Sequence, residues 1–236
     1  MLDAFRALVN GGPDWGMYAL PNPVLLAVLA VVIAVSAYFL GCSNGAIIVS
    51  KYILHNDVRN HGSGNAGLTN FHRVFGGKLT LVVILSDVVK AVAPICLALF
   101  IVWLVGWPGL SVGAKYWAGL WCLLGHMFPC MFGFKGGKGI LSGGAIAIMM
   151  DWRIALVVWG GFLLLAILTR YVSLGSCWAG ASFPFATWFV YHSVALTLLA
   201  ALIGGLILWK HRGNIRRLIQ GNESKFSLHK KKEGSQ

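Results

Sequence analysis

Seven apolar stretches divide this chain, at about 24–50, 79–106, 112–131, 139–150, 154–169, 174–191 and 193–209. A helix needs about 20 mostly apolar residues to cross a bilayer, and it satisfies its own backbone polar groups while doing so. With 58% of residues apolar and 11% charged, the spacing predicts an all-α integral membrane protein. The expected architecture is a polytopic bundle of about seven transmembrane helices. The fourth stretch is too short for a full crossing at about 1.5 Å per residue, so a half-helix there would leave five or six crossings. Residues 1–22 read as a short pre-membrane segment, with an interfacial helix as one form of it. They lack a basic region followed by a cleavage site, so no cleavable signal peptide is expected. One membrane-embedded domain is expected over 1–220, followed by a basic polar tail over 221–236 that is disordered or lies on anionic lipid.

The formal net charge is +12. In a soluble protein this would suggest nucleic acid, but here the positive-inside rule accounts for it and no nucleic-acid partner is implied. An outside N-terminus and a cytoplasmic C-terminus put Lys51, Arg59, Arg73, Lys78, Lys135, Lys138, Arg170, Lys210, Arg212, Arg216, Arg217, Lys225, Lys230, Lys231 and Lys232 on the cytoplasmic side. Only Arg6, Lys115 and Arg153 fall outside. Fifteen against three fixes the expected orientation. The five cysteines form no CxxC or Cys/His spacing and read as reduced packing residues; no metal site is expected.

Two glycine-rich cationic loops lie between the stretches, and both fall on the cytoplasmic side. The first runs Arg59-Asn60-His61-Gly62-Ser63-Gly64-Asn65-Ala66-Gly67-Leu68-Thr69-Asn70, the second Gly133-Phe134-Lys135-Gly136-Gly137-Lys138-Gly139. Glycines bare backbone N–H groups, short polar side chains add donors, and Arg and Lys add charge, which together describe sites for phosphate. A flexible linker would not need Thr69, Asn70, Arg59 and Asp57 around the first loop. Two lysines would set topology without the glycines of the second. The second loop is not a Walker A loop, because Gly139 follows Lys138 where Ser or Thr belongs. His126 and Pro129 sit just upstream; a lone membrane histidine is often packing, but this one could donate to phosphate when neutral.

Asp87 and Lys90 share a helix face at i, i+3 and read first as a buried brace. Ser173 and Ser176 follow a Thr169-Arg170-Tyr171 turn, where capping alone would look the same. His211, Asn214 and Arg217 fall at i, i+3, i+6 beyond the last stretch, as a cationic juxtamembrane helix also would. The chain has no H-x4-D pair, no G-x-S-x-G elbow and no acidic cluster for Mg²⁺. A phosphate-ester transporter would use the same cations but would also want an outward path and internal repeats, and no repeat is evident. A scaffold would not need the glycine loops.

Asp57-Val58-Arg59, Gly62 through Gly67 and Thr69-Asn70 resemble the first cytoplasmic motif of bacterial acyl-phosphate-dependent glycerol-3-phosphate acyltransferases of the PlsY type. Gly125-His126-Met127-Phe128-Pro129 through Gly139 resembles the second, and Thr169 through Ser176 the third. Asp87, Lys90, His211, Asn214, Ile215, Arg217 and Leu218 match as well, so the resemblance runs in order from about 38 to 220. Two departures stand out. Cys42 falls on a family serine with Ser43 one place on, and Leu68 replaces a usual Ala. The resemblance implies acyl transfer from an acyl phosphate to sn-glycerol-3-phosphate in the bacterial cytoplasmic membrane, giving 1-acyl-glycerol-3-phosphate and inorganic phosphate without a cofactor. Membrane lipid is the setting, and a monomer is compatible with it. Lys138 and Lys135, with the Gly136, Gly137 and Gly139 amides, are expected to bind one phosphate. Arg59, Ser63, Gly64, Asn65, Gly67, Thr69 and Asn70 bind the other, with His211, Asn214 and Arg217 assisting. Ser43, Ser173 and Ser176 complete the expected substrate contacts. Lys138, Arg59, His126 and His211 are the expected catalytic set. The acceptor of the attacking hydroxyl's proton stays open among a substrate phosphate oxygen, His126 and His211.

Overall fold

A computed structural model describes residues 22–225, and helices dominate it, with no strand among those residues. The expected pre-membrane segment, the tail beyond 225, and Arg6 and Lys230–Lys232 of the charge count lie outside the described residues. Helix α1 (Pro23–Gly41) starts on Pro23 with Asn22 as cap, its Oδ1 accepting from the Val24 amide at 2.9 Å. The first apolar stretch was expected to run on to about 50. Instead α1 ends at Gly41 and the chain restarts as α2 (Gly45–Ile48), which passes into a π-helical turn, Val49–Ile53. The break has a local cause: buried Asn44 caps α2, its Oδ1 accepting from the Ile47 amide at 3.0 Å.

The remaining helices are α3 (Leu68–Val74), α4 (Leu79–Leu104), α5 (Ser111–Met127), α6 (Ile140–Met150), α7 (Trp152–Thr169), α8 (Val172–Tyr191), α9 (Val194–Lys210) and α10 (Arg212–Ile219). Helices therefore stand at each of the seven apolar stretches. Three segments are long and apolar enough on their own to cross a membrane: Pro23–Ile53, Leu79–Leu104 and Trp152–Thr169. A fourth is added if α9 and α10, bent by 60°, are taken as one.

Helix α1 lies along α5 at backbone distance. A Cβ on Gly41 would overlap the Cys122 carbonyl oxygen, and one on Gly125 would overlap the Tyr38 carbonyl oxygen. Helix α4 packs on α5 and α6, and α7, α8 and α9 pack side by side. The core between them holds Ala91, Ile95, Tyr116, Leu123, Ile146 and Ile203. The opposite faces carry large apolar residues in the open, such as Leu85, Val89, Leu156, Ile167 and Phe189. That much exposed apolar surface is stable against lipid and not against water.

The eleven-residue α6 is held at its far end. Lys115, 1% exposed, donates from Nζ to the Met150 carbonyl at 2.7 Å, and the Tyr191 hydroxyl donates to the same oxygen at 3.1 Å. These bonds satisfy a C-terminal carbonyl that would otherwise be buried without a partner. Asp151 then caps α7 through the Arg153 amide at 2.8 Å. With its far end fixed, α6 presents its near end, Gly139 and Ile140, to the region where both glycine loops meet.

Candidate functional site

The first loop is folded, and Asn70 folds it. Asn70, 2% exposed, accepts at Oδ1 from the Ser63 amide at 2.9 Å. Its Nδ2 donates to the Val58 carbonyl at 3.1 Å and the His61 carbonyl at 3.0 Å. Gly62 and Gly64 take φ of +60° and +68°, the left-handed region, and a Cβ at Gly62 would strike the Asn70 side chain. Asn44 Nδ2 donates to the Ala66 carbonyl at 3.1 Å, fixing the loop's outer arm to α2.

Arg59 ties the two loops together. It pairs with Asp57 (Nη2 to Oδ2, 2.7 Å) and donates from Nη1 to the carbonyls of Phe132 at 2.8 Å and Lys135 at 3.4 Å. The hydrogen bonds from Arg59 hold the Asp57 carboxyl below the usual carboxylate range, outweighing the opposing effect of burial.

In the second loop the glycines serve close packing. The Gly136 amide donates to the Met127 carbonyl at 3.3 Å and the Gly137 amide to the His126 carbonyl at 3.2 Å. Both therefore close the end of α5 and are not turned to a ligand. A Cβ on Gly136 would overlap the His126 carbonyl oxygen, and one on Gly137 would overlap His126 Nε2. The tight turn brings Lys138 inward, where Nζ donates to Asn214 Oδ1. Burial, then the charge of Arg217, hold the Lys138 ammonium below the ordinary lysine range.

Four segments thus meet around a cavity of about 890 Å³. The first loop gives it Ser63, Gly64, Asn65, Gly67, Thr69 and Asn70, the next turn of α3 gives Arg73, and the second loop gives Lys138 and Gly139. Ser173 and Ser176 face it from the start of α8, and His211, Asn214 and Arg217 from the α9–α10 corner. His126 also faces it, 2% exposed, with neither ring nitrogen hydrogen-bonded among the described residues; Ser173 Oγ is likewise free. His211 Nδ1 lies 2.8 Å from the Ile207 carbonyl, which fixes the ring and leaves Nε2 the freer nitrogen. Asp87 reaches the wall and pairs with Lys90 at 2.7 Å; both are buried.

Five expected contact residues are absent from this wall. Arg59 braces the loops from behind. Ser43 Oγ donates to the Leu40 carbonyl at 2.7 Å, closing the end of α1. Lys135 is exposed on the outer side, and Gly136 and Gly137 support His126 and Lys138 from beneath. The wall also holds residues with no expected site role: Arg73, Lys210, Arg212 and Arg216, which count in the sequence only toward topology, and Glu223 of the expected tail. Lys210 Nζ donates to the Met127 carbonyl at 2.9 Å and sits 4.2 Å from the Phe128 ring centre, joining the α9–α10 corner to the end of α5. Glu223 accepts from Asn214 Nδ2 and Arg217 Nε, each at 2.7 Å.

With Arg73, Lys138, Lys210, Arg212, Arg216 and Arg217 against Asp87 and Glu223, the wall is strongly cationic and rich in hydroxyl and amide donors. Such a wall suits a small phosphate ester. It holds no group of three or more metal-ligating side chains among the described residues.

The family described as Glycerol-3-phosphate acyltransferase matches residues 31–221. The glycerol-3-phosphate acyltransferase of Thermoanaerobacter sp. (strain X514) is 35% identical over 197 residues, covering 84% of this chain and 96% of that protein. That of Pseudomonas putida (strain KT2440) is 35% identical over 195 residues, covering 82% and 98%. Among solved structures, PlsY (YgiH), an integral membrane glycerol 3-phosphate acyltransferase in its glycerol 3-phosphate form, superposes with a TM-score of 0.74 at 32% identity. The match covers 84% of this chain and 96% of that one. Its lysophosphatidic acid form gives 0.72. Sequence, fold and the arrangement of the loops lead to one conclusion: this chain belongs to the glycerol-3-phosphate acyltransferase family.

Proposed function

We propose that this protein transfers an acyl group from an acyl phosphate to sn-glycerol-3-phosphate, giving 1-acyl-sn-glycerol-3-phosphate and inorganic phosphate. The observation that carries the proposal is the cationic cavity itself, in a chain of this family, large enough for more than one phosphate group at the ends of apolar helices. Both substrates carry phosphate, and one carries an acyl tail, so a polar cavity adjoining lipid-facing helices suits the pair.

The hydroxyl on C1 of glycerol-3-phosphate attacks the acyl carbonyl carbon. The new ester C–O bond forms, the acyl–O–phosphate bond breaks, and phosphate leaves with the electron pair. The mixed anhydride is already activated, so positioning supplies much of the rate. Lys138 offsets charge on one phosphate. Ser63, Asn65, Thr69, Asn214 and Arg217 donate to the other, and Ser173 and Ser176 to substrate hydroxyls or phosphate oxygens. Arg59 acts by holding the two loops in register. The hydroxyl's proton passes to His126, His211 or a phosphate oxygen. Changing each histidine to glutamine separates these, since a loss of only a few-fold in kcat rules out that histidine as the base.

The remaining helices are proposed to complete a bundle of about seven spans, with the eleven-residue α6 the shortest, N-terminus outside and C-terminus cytoplasmic, in a bacterial cytoplasmic membrane. The charge asymmetry supports this orientation, as does the gathering of both glycine loops at one cavity. The test uses purified protein in detergent, palmitoyl phosphate and glycerol-3-phosphate, following phosphate and lysophosphatidate together, with Lys138→Ala as control. Equimolar products that vanish in the variant are expected. Folded protein giving no product, with acyl phosphate or with acyl thioesters, would overturn the reading.

A further inference from the structure

The chain supplies its own anion to the cationic wall. Helix α10 ends at Ile219, and Gly221, at φ +72°, turns the backbone over. The Gly221 amide donates to the Leu218 carbonyl at 3.2 Å and the Asn222 amide to the Arg217 carbonyl at 2.8 Å. This glycine-based helix stop sends the chain back across its own last turn and not away into solvent. Glu223 arrives over the cavity with its side chain only 6% exposed. One carboxylate oxygen accepts from Asn214 Nδ2 and the other from Arg217 Nε, each at 2.7 Å. Asn214 in turn accepts from Lys138. Two oxygens on two donors, next to a lysine, is the pattern a phosphate would make with the same groups. The family match ends at residue 221, two residues before Glu223.

We propose that Glu223 is a built-in competitor for the phosphate site: its carboxylate occupies Asn214 and Arg217, and the phosphate of glycerol-3-phosphate must displace it to bind. The inference rests on the phosphate-ester reading of the cavity given above. The exchange is physically balanced. Glu223 is a monoanion and glycerol-3-phosphate a dianion near neutral pH, so the substrate gains more from Lys138 and Arg217 than the carboxylate does. Arg217 is 47% exposed, which keeps its pair with Glu223 modest and replaceable. While in place, the carboxylate holds Arg217 and Asn214 turned toward the cavity and lowers the repulsion among the wall's cations. Glu223 thereby sets the affinity for the substrate without taking part in bond making.

The test compares the full-length protein with Glu223→Gln and Glu223→Ala. Calorimetric titration with inorganic phosphate and with glycerol-3-phosphate is paired with steady-state kinetics at varied glycerol-3-phosphate. Both variants are expected to bind both ligands more tightly, with Kd and KM falling on the order of three- to tenfold. Added inorganic phosphate should inhibit them at correspondingly lower concentration. Unchanged or weaker binding in the variants, with clear binding by the parent protein, overturns the competitor proposal and makes Glu223 a support for Arg217. Absence of binding in the parent and both variants overturns instead the phosphate-ester reading beneath it.

Discussion

Gly137→Ala tests whether the second loop's glycines exist for close approach. Gly137 is absent from the positive-φ positions, so alanine meets no backbone penalty there and the effect is steric alone. The added Cβ would overlap His126 Nε2 and stand 2.6 Å from the Ala66 carbonyl oxygen and 3.0 Å from His126 Cε1. An ordinary contact needs about 3.4 Å, so the Ala66 carbonyl alone must give way by roughly 0.8 Å and the His126 ring by more. Neither neighbour yields freely: Asn44 holds the Ala66 carbonyl at 3.1 Å, and the His126 ring is 2% exposed. Overpacking of this kind costs about 1–3 kcal/mol of stability. The larger effect is on chemistry, because Lys138 is the next residue and a misplacement of about 1 Å costs on the order of 10²-fold in rate. The assay is kcat/KM for acyl transfer in detergent, measured well below the thermal midpoint, with Gly205→Ala as control. Gly205 is exposed on α9 and a Cβ there meets nothing within 4 Å, so its variant should keep full activity. A Gly137→Ala enzyme within threefold of the parent would refute the reasoning.

Three further outcomes are expected. The depressed Lys138 ammonium should give kcat/KM an alkaline limb below the ordinary lysine value of about 10.4, falling as pH rises because the charged form binds phosphate; Lys138→Arg should remove that limb. Asp87→Asn leaves Lys90 charged, buried and without its 2.7 Å partner, and should lower stability by about 3–5 kcal/mol in detergent unfolding, most of it recovered in the double variant Asp87→Asn, Lys90→Met. Asn70→Ala removes the hydrogen bonds that close the first loop and should cost about 1–3 kcal/mol, with faster proteolysis within 57–70 as the direct readout.

Much of this was legible in the sequence, because long apolar runs dictate helices and charge-poor chains place their few cations with purpose. Helices stand where the apolar runs stand, down to the short α6. Break points were less legible. The run at 24–50 reads as one helix, and only the packing of Gly41 on Cys122 and the capping by Asn44 show why it stops and restarts. At the site, residue types pointed to phosphate chemistry, but the direction of each side chain could not be read. Arg59 resembles a ligand-binding arginine in sequence, yet Asp57 two residues earlier offers it a nearer partner, and the open carbonyls of Phe132 and Lys135 complete its coordination. The Gly136 and Gly137 amides looked like an anion nest, but the unfinished carbonyls at the end of α5 take them. Composition groups Glu223 with the tail, although Gly221, two residues after α10, signals that the chain turns back.

These assignments share one physical logic. At the end of α5, next to the cavity, the open carbonyls are taken up by groups from other segments and from the loop that follows: Phe128 by the Tyr38 hydroxyl, Met127 by Lys210 and the Gly136 amide, His126 by the Gly137 amide. These bonds fasten the second loop to the end of α5, and they leave Ser173 Oγ and the His126 ring without hydrogen-bond partners among the described residues, beside the Lys138 that donates to Asn214. A site built this way tolerates changes on the outward sides of its helices far better than changes at the glycines and asparagines beneath it. Leu85 and Ile167, open to lipid, should accept other apolar residues with little effect, whereas Asn44, Asn70 and Gly137 should accept almost none, although none of the three is proposed to carry out a chemical step.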